Sequence, residues 1–248
     1  MNWQRHQLVW LSAAGWQAVL SGPADEAPWS DSARDCLQHW AAHGLPLVVT
    51  RQPAPLTAAL TGYGALPLAG HGASPPTPRT PLTPLTLGLV APLCWGRQRL
   101  FVRAPAAAVQ RVGAFPLAVD ITGELPAAAC KDWRTLCAAL QAVGVEARVY
   151  GSHGWQALTG LACVREGTSD IDLLLPCATP AQADAATTLL ARAARTLPRI
   201  DGECVFADGA AVAWREWVEW RAGAVRQLLV KRLHGAALEG AHGRPVAA

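Results

Sequence analysis

The 248-residue chain is short of charge. Asp, Glu, Lys and Arg together make up 16% of it, against ~25% in an average soluble domain. The charges nearly cancel: 21 Lys+Arg face 18 Asp+Glu, for a net +3. That excludes the strongly basic face of a general nucleic-acid binder. With 51% hydrophobic residues there is ample apolar surface to bury, which excludes disorder as the overall state. Only two lysines exist, Lys131 and Lys231, and only two Tyr and three Phe. No apolar run approaches the ~18 residues of a membrane span. The opening MNWQRHQLVWLSAAGWQAVL is broken by Gln7, Ser12 and Gln17 and has no clean small-residue cleavage site, so it does not read as a secretory leader. The expectation is a soluble, cytoplasmic protein with neither nucleic acid nor membrane as a partner. Seven cysteines (36, 94, 130, 137, 163, 177 and 204) form no CxxC pair and stand at no finger-like spacing from histidine. Reduced, inert thiols are expected, not a disulfide framework or structural zinc. Against these scarcities stand eleven tryptophans, which composition alone does not explain.

The patterning alternates helical and extended signals throughout. Residues 5–11 and 45–50 read as strands. Ala33, Cys36, Leu37 and Trp40 mark a helix over 31–43, closed by Gly44. Residues 53–83 differ in kind: between Gln52 and Gly96 only Arg79 is charged, and five prolines lie within 75–84. Proline removes backbone donors, so this stretch is expected as an irregular loop or insertion. Strands follow at 85–90 and 99–103, turning at Gly96, and 104–128 reads as an Ala/Pro/Gly-rich hinge. Beyond it come a helix at 131–143, a strand at 146–150, a helix at 152–161, a strand at 170–175 and a helix at 182–196. Strands at 199–206, 210–215 and 225–233 complete the reading. This predicts a mixed α/β protein with helices packed on a small sheet. Its two parts would be an N-terminal α/β domain over 1–120, for substrate or carrier, and a catalytic domain over 121–248.

Two features there carry chemistry. Residues i and i+2 of a strand share a face, so Asp170 and Asp172 present two carboxylates side by side, while Ile171 and Leu173 point into a core. Adjacent like charges need compensation, and a hard divalent cation such as Mg²⁺ supplies it. Mg²⁺ in turn bridges to substrate phosphates. The second feature is Gly151-Ser152 at a strand-to-helix turn, where glycine allows close backbone approach and the helix N-terminal N–H groups suit phosphate.

Gly-Ser followed by Asp-x-Asp resembles nucleotidyltransferases of the DNA polymerase beta type, although the seventeen residues between Ser152 and Asp170 are more than usual there. VYGSHGWQALTG at 149–160 and SDIDLL at 169–174 more closely resemble the malonate decarboxylase holo-acyl-carrier-protein synthase (phosphoribosyl-dephospho-CoA transferase) family. RHQLVWL at 5–11, DGE at 201–203, DG at 208–209 and AVAWRE at 211–216 are similar to its terminal segments. Segment 53–83 looks like an insertion relative to it.

The resemblance implies a nucleotidyltransferase-like catalytic domain. It also implies transfer of a 2′-(5″-phosphoribosyl)-3′-dephospho-CoA group from its triphosphoribosyl precursor to a serine of the apo acyl carrier protein subunit of malonate decarboxylase. Diphosphate would leave. Asp170 and Asp172 would be Mg²⁺ ligands, and Gly151 and Ser152 would hold the diphosphate. The superfamily's third carboxylate falls to Asp201, with Glu203 and Glu216 as alternatives and a turn role before Gly202 as the bland reading of Asp201. Lys231 would neutralise triphosphate, or else be a solvated edge lysine. Arg5 and His6 would contact substrate or carrier, with a structural role as the alternative for His6. His153 is either near phosphate or an exposed loop histidine, and Trp155 and Gln156 shape the pocket. Arg192, Arg195 and Arg199 offer a patch to an acidic carrier, or a plain solvated face. A tryptophan, such as one of Trp214, Trp217 and Trp220, could stack on the donor's adenine, with core packing the alternative. Competing functions are another nucleotidyl- or adenylyltransferase and a non-catalytic assembly factor.

Overall fold

A computed structural model describes residues 2–22, 29–54 and 84–240. Its architecture is the expected mixed α/β, arranged as two sheets. The first sheet holds β1 (Leu8–Leu11), β2 (Leu47–Val49), β3 (Leu85–Val90), β4 (Arg99–Ala104) and β5 (Val109–Gly113) in the order β4-β3-β2-β1-β5, and every pairing is antiparallel. Helices α1 (Ala13–Ser21) and α2 (Asp31–Ala42) contribute Trp16, Val19, Cys36, Leu37 and Trp40 to its core. Ser12 and Ser30 cap them, each hydroxyl accepting from a backbone N–H three residues on.

The second sheet runs β11-β10-β9-β8-β7-β6. It is built from β6 (Arg148–Tyr150), β7 (Ile171–Cys177), β8 (Ile200–Phe206), β9 (Ala211–Ala213), β10 (Gln227–Arg232) and β11 (Gly235–Gly240). Only β7 and β8 pair in parallel, and α5 (Pro180–Ala193) makes the crossover that a parallel pair requires. The helices α3 (Ala127–Ala142), α5 and α6 (Trp214–Arg221) pack on this sheet, with Trp133, Leu136, Ala183, Ala186, Leu190 and Trp217 in one core with Ile171, Leu173 and Leu175. The alanine face of α5 lets the helix approach the sheet closely. No helix among the described residues is long and apolar enough to cross a membrane.

Several local expectations need correction. Residues 104–128 hold more regular structure than a linker: β5 pairs with β1, residues 118–124 form a 3-10 helix leading into α3, and the chain passes from the first sheet to the second between them. The strand expected at 210–215 stops at Ala213, because Trp214, Trp217 and Trp220 recur at helical spacing and start α6. The strand β11 and the helix α1 were not anticipated. The insertion at 53–83 lies, beyond Ala54, outside the described residues. The chain leading into it is held by the second half: Gln52 N donates to Leu233 O (2.7 Å), and the Nδ1 of His234 lies 3.0 Å from Pro53 O.

Tryptophan abundance is a packing device. Trp40, Trp133, Trp155 and Trp217 are fully buried, and the indole N–H groups of three of them donate to Pro46 O, Ala118 O and Asp184 Oδ1. In a chain with few Phe and Tyr, indoles fill the core and these three satisfy their single donor, whereas the buried Nε1 groups of Trp16 and Trp214 find no partner among the described residues. Cys36 and Cys163 are also buried, which pushes their thiols up to about 12 and about 11 and keeps them unreactive.

Trp155 lies on the helix after β6 yet packs in the core of the first sheet, against Phe115 and Trp40. It therefore joins the two halves. Trp155→Ala is expected to cost about 3–5 kcal/mol, read as a lowered midpoint in denaturant or thermal unfolding.

Candidate active site

Strand alternation sorts the second sheet into two faces. Ile171, Leu173, Leu175 and Cys177 of β7, with Ile200, Cys204 and Phe206 of β8, join the helical core. The alternate residues, Asp172, Leu174 and Pro176 with Asp201, Glu203 and Val205, point to the other face, where Leu174 and Val205 meet the core of the first sheet. The parallel register places Asp172 beside Asp201 and Leu174 beside Glu203. Tyr150, the last residue of β6, pairs with Asp172, and Lys231 of β10 pairs with Ala211. Asp170 lies just ahead of β7, with its carboxylate 3.4 Å from the Nε of exposed Arg199.

Two glycines make this geometry possible. Gly151 opens α4 (Gly151–Thr159) at φ +62°, and a Cβ there would stand 1.9 Å from Asp172 Oδ2. Only a bare Cα leaves room for the carboxylate. Gly202 has φ +144°, and a Cβ would meet Leu173 O at 2.1 Å, so any side chain would force β7 and β8 apart. Asp201 is therefore a strand residue and not part of a turn, with its Oδ1 accepting from Gly202 N at 2.8 Å.

The carboxylates are crowded. Burial raises the pKa of Asp172 to about 6, helped by the charges of Asp201, Asp170 and Glu203 and opposed by Arg99. Burial, and then the charges of Glu203, Asp172 and Asp201, push the Tyr150 phenol upward as well. Glu203 has the opposite fate. Burial works against its charge, but the His6 hydrogen bond, Arg5 and Lys231 hold it well below the usual carboxylate range. Lys231 Nζ donates to Glu203 Oε1 at 2.7 Å, while His6 Nε2 and Arg5 Nη1 lie 3.3 and 3.4 Å from Oε2. Lys231 is not an edge lysine, since β11 covers its strand. One carboxylate against Arg5 and Lys231 leaves this cluster with excess positive charge.

Of the three carboxylates considered with Asp170 and Asp172, Glu203 is thus neutralised by cations. Glu216 sits on α6 and accepts from Leu229 N, and Asp201 stands beside Asp172. His153 is neither exposed nor on a loop. It lies buried in α4 with Nδ1 lacking a hydrogen bond, and burial lowers its pKa. Trp155, Trp214 and Trp217 are likewise buried, so none presents a face for stacking. Gln156 Oε1 accepts from the backbone of Cys163 and Val164 and fixes the turn after α4. Arg192 and Arg195 are exposed, and of the three patch arginines Arg199 is the one that reaches the carboxylates.

Two contributors were not anticipated. Ser152 is buried, and its Oγ accepts from Arg97 Nη2 at 2.8 Å. Arg97 and Arg99 both come from the β3–β4 hairpin of the first sheet. The only signal for them in the sequence is the pair of arginines just past the Gly96 turn. Arg97 (φ +55°) and His6 (φ +64°) are the only described non-glycine residues in the left-handed region, and both reach this face of the second sheet. Among the described residues no three His, Cys, Asp or Glu side chains form a ready metal cage. The donors that do converge are carboxylate oxygens.

The Phosphoribosyl-dephospho-CoA transferase MdcG C-terminal domain family matches residues 109–242, and the corresponding N-terminal domain family matches residues 4–62. The chain belongs to this family. A phosphoribosyl-dephospho-CoA transferase of Xanthomonas euvesicatoria is 37% identical over 92% of this chain and 89% of its own. One from Xanthomonas axonopodis is 38% identical over the same shares. One from Bradyrhizobium diazoefficiens is 32% identical over 96% and 90%. No solved structure matches the chain. As a member of the phosphoribosyl-dephospho-CoA transferase family the chain is an enzyme, a transferase. The resemblance carried by VYGSHGWQALTG and SDIDLL is met in both family and enzyme class.

A left-handed arginine costs free energy that glycine avoids. Arg97→Gly is therefore expected to hold or raise the thermal midpoint, yet to lower kcat/KM for transfer about tenfold or more through loss of a charge-assisted donor. A purely structural arginine would show the reverse: a lower midpoint and little change in rate.

Proposed function

We propose that this chain transfers the 2′-(5″-phosphoribosyl)-3′-dephospho-CoA group from 2′-(5″-triphosphoribosyl)-3′-dephospho-CoA to a serine of the apo acyl carrier protein subunit of malonate decarboxylase, with release of diphosphate. Family membership supports the group transferred. The observation that carries the chemistry is the pairing of Asp172 with Asp201 on one sheet face, against Gly151 and beside the Glu203 cluster.

The donor set suits Mg²⁺: only oxygens, an excess of negative charge, and a carboxylate raised by burial and then by its neighbours. A hard cation held by one or two carboxylates takes its remaining ligands from phosphate and water. Asp170 and Asp172 would hold it, and bound there it would supply charge neutralisation at the reacting phosphate. Gly151 and Ser152, with Arg97 behind the hydroxyl, would receive the leaving diphosphate. Lys231 and Arg5, both anchored on Glu203, would neutralise the remaining phosphate charge. His6, its ring tilted against that of Tyr150 with centroids 4.7 Å apart, fixes the N-terminal segment to this face. Among the described residues no cation forms an ion pair with Asp201, which stands beside Asp172, so it is the residue to orient the acceptor serine hydroxyl or take its proton. In this reading both parts of the chain serve one reaction: residues 121–248 carry the carboxylates, and residues 1–120 deliver Arg5, His6, Arg97 and Arg99.

Incubation with apo carrier and the triphosphoribosyl precursor is expected to add the phosphoribosyl-dephospho-CoA mass to one carrier serine. Asp170→Asn combined with Asp172→Asn should abolish the gain while preserving the fold. Nucleotide transfer from ATP alone would instead place the chain among other nucleotidyltransferases. Full activity of the double variant would remove the carboxylates from the mechanism.

Asp172 also makes a stability prediction. Its folded pKa, about 6, lies above the ordinary 3.8. Its contribution is therefore favourable below the ordinary value and is lost as pH rises through about 6. Without metal, Asp172→Asn should be more stable than wild type at pH 7–8, by on the order of 1 kcal/mol, and the difference should vanish near pH 4. Mg²⁺ should raise the wild-type midpoint and leave the variant's unchanged.

A further inference from the structure

A second feature lies on the same face of the C-terminal sheet. A cleft of about 710 Å³ opens beyond the Glu203 cluster, between residues 4–7, residues 112–115 and the far ends of β7 and β8. Its volume is that of a small-molecule site. Arg5 and His6 line the cleft and also contact Glu203, so cleft and carboxylates form one continuous surface. The sheet register sets the scale. Pro176 pairs with Val205 four residues beyond the pairing of Asp172 with Asp201, which is roughly 13 Å at ~3.3 Å per residue.

The lining selects among chemical classes. The floor is apolar, made by Leu174, Pro176 and Val205, with the amides of Gln4 and Gln7 at the rim. Phe115 and Phe206 border it but are each only 2% exposed, and no tryptophan lines it, so a base finds no stacking platform. A second polyphosphate is also disfavoured. Arg148 is engaged by Phe115 O and Glu146, and Arg5 and His6 by Glu203. One donor is left over near the inner end: Arg5 Nη1 is buried and, although 3.4 Å from Glu203 Oε2, makes no hydrogen bond. The matching ligand is an uncharged, flexible chain of alkyl and amide groups, joined at its inner end to a phosphate.

We propose that this cleft binds the pantetheine arm of the donor, with Arg5 at the diphosphate that joins the arm to adenosine. The assignment rests on the donor named above. The reacting triphosphate would lie over Asp172 and Asp201, and the arm along Leu174, Val205 and Pro176.

Calorimetric titration of the full chain with dephospho-CoA and with ADP tests this, because ADP shares the adenosine and diphosphate but lacks the arm. Dephospho-CoA is expected to bind at least about tenfold more tightly than ADP. Val205→Trp should erase that advantage and leave ADP binding unchanged. Val112→Trp, at a position 41% exposed on the opposite wall, should do the same and stands in if Val205→Trp loses its unfolding midpoint. Equal binding of the two probes by wild type, absence of dephospho-CoA binding, or equal weakening of both probes by the substitutions would overturn the assignment. So would a rise in KM for the carrier alone, which would give the cleft to the acceptor. Arm-dependent binding without labelling of the apo carrier would instead overturn the proposed reaction and leave the cleft assignment standing.

Discussion

The parallel pairing of β7 with β8 sets two carboxylates, Asp172 and Asp201, side by side on a partly buried surface, and most of the molecule can be understood as accommodation of that arrangement. The strands come together only because Gly202 has no side chain to strike Leu173, and the carboxylate of Asp172 fits only because Gly151 has none to strike it. Burial, with the neighbouring carboxylates adding to it, raises Asp172 to about 6. Like charges held this way are unfavourable in isolation, so the face is one that a cation would stabilise.

The cationic part of that balance comes from far away in sequence. Arg5 and His6 precede β1, and Arg97 and Arg99 flank the start of β4. The chain accepts left-handed backbone at His6 and Arg97, and at no other described non-glycine residue, to bring these side chains across. Strained backbone persists where surrounding contacts over-determine it, and here those contacts are Glu203 for His6 and Ser152 for Arg97. The first sheet is therefore more than a platform beside the site. Trp155, Phe115 and Leu174 lock it onto the second sheet, so the cations hold a fixed place relative to the carboxylates.

How much of this was legible in the sequence follows from the range of each interaction. The face shared by Asp170 and Asp172, the Gly-Ser turn and the major helices depend on residues a few positions apart, and periodicity reveals them. The register that puts Asp201 beside Asp172, the neutralisation of Glu203 and the seating of Arg97 on Ser152 join residues tens to hundreds of positions apart, and no local pattern encodes them. Other omissions were of weighting. Trp214, Trp217 and Trp220 announced a helix by their spacing, yet Ala210 to Ala213 read as strand and carried the assignment too far. Residues 235–240 hold few β-branched side chains and pair as β11 because β10 offers them a template.

Glu203 shows what residue type alone leaves open. Placed two residues after Asp201 on one strand face, it has the same sequence standing as an alternative third carboxylate. Arg5, Lys231 and the hydrogen bond to His6 outweigh burial and hold its pKa below the usual range, so it remains ionised throughout the interval in which Asp172 titrates. A permanently charged, hydrogen-bonded carboxylate is a poor proton acceptor but a good anchor. It orients Lys231 and Arg5 and leaves their surplus charge facing the site. Among the described residues neither Asp172 nor Asp201 forms such an ion pair, although Arg99 opposes the rise of Asp172. Two carboxylates on one strand, separated by a single glycine, thus differ because Arg5 from the N-terminal segment and Lys231 from β10 converge on one, and among the described residues no cation pairs with the other.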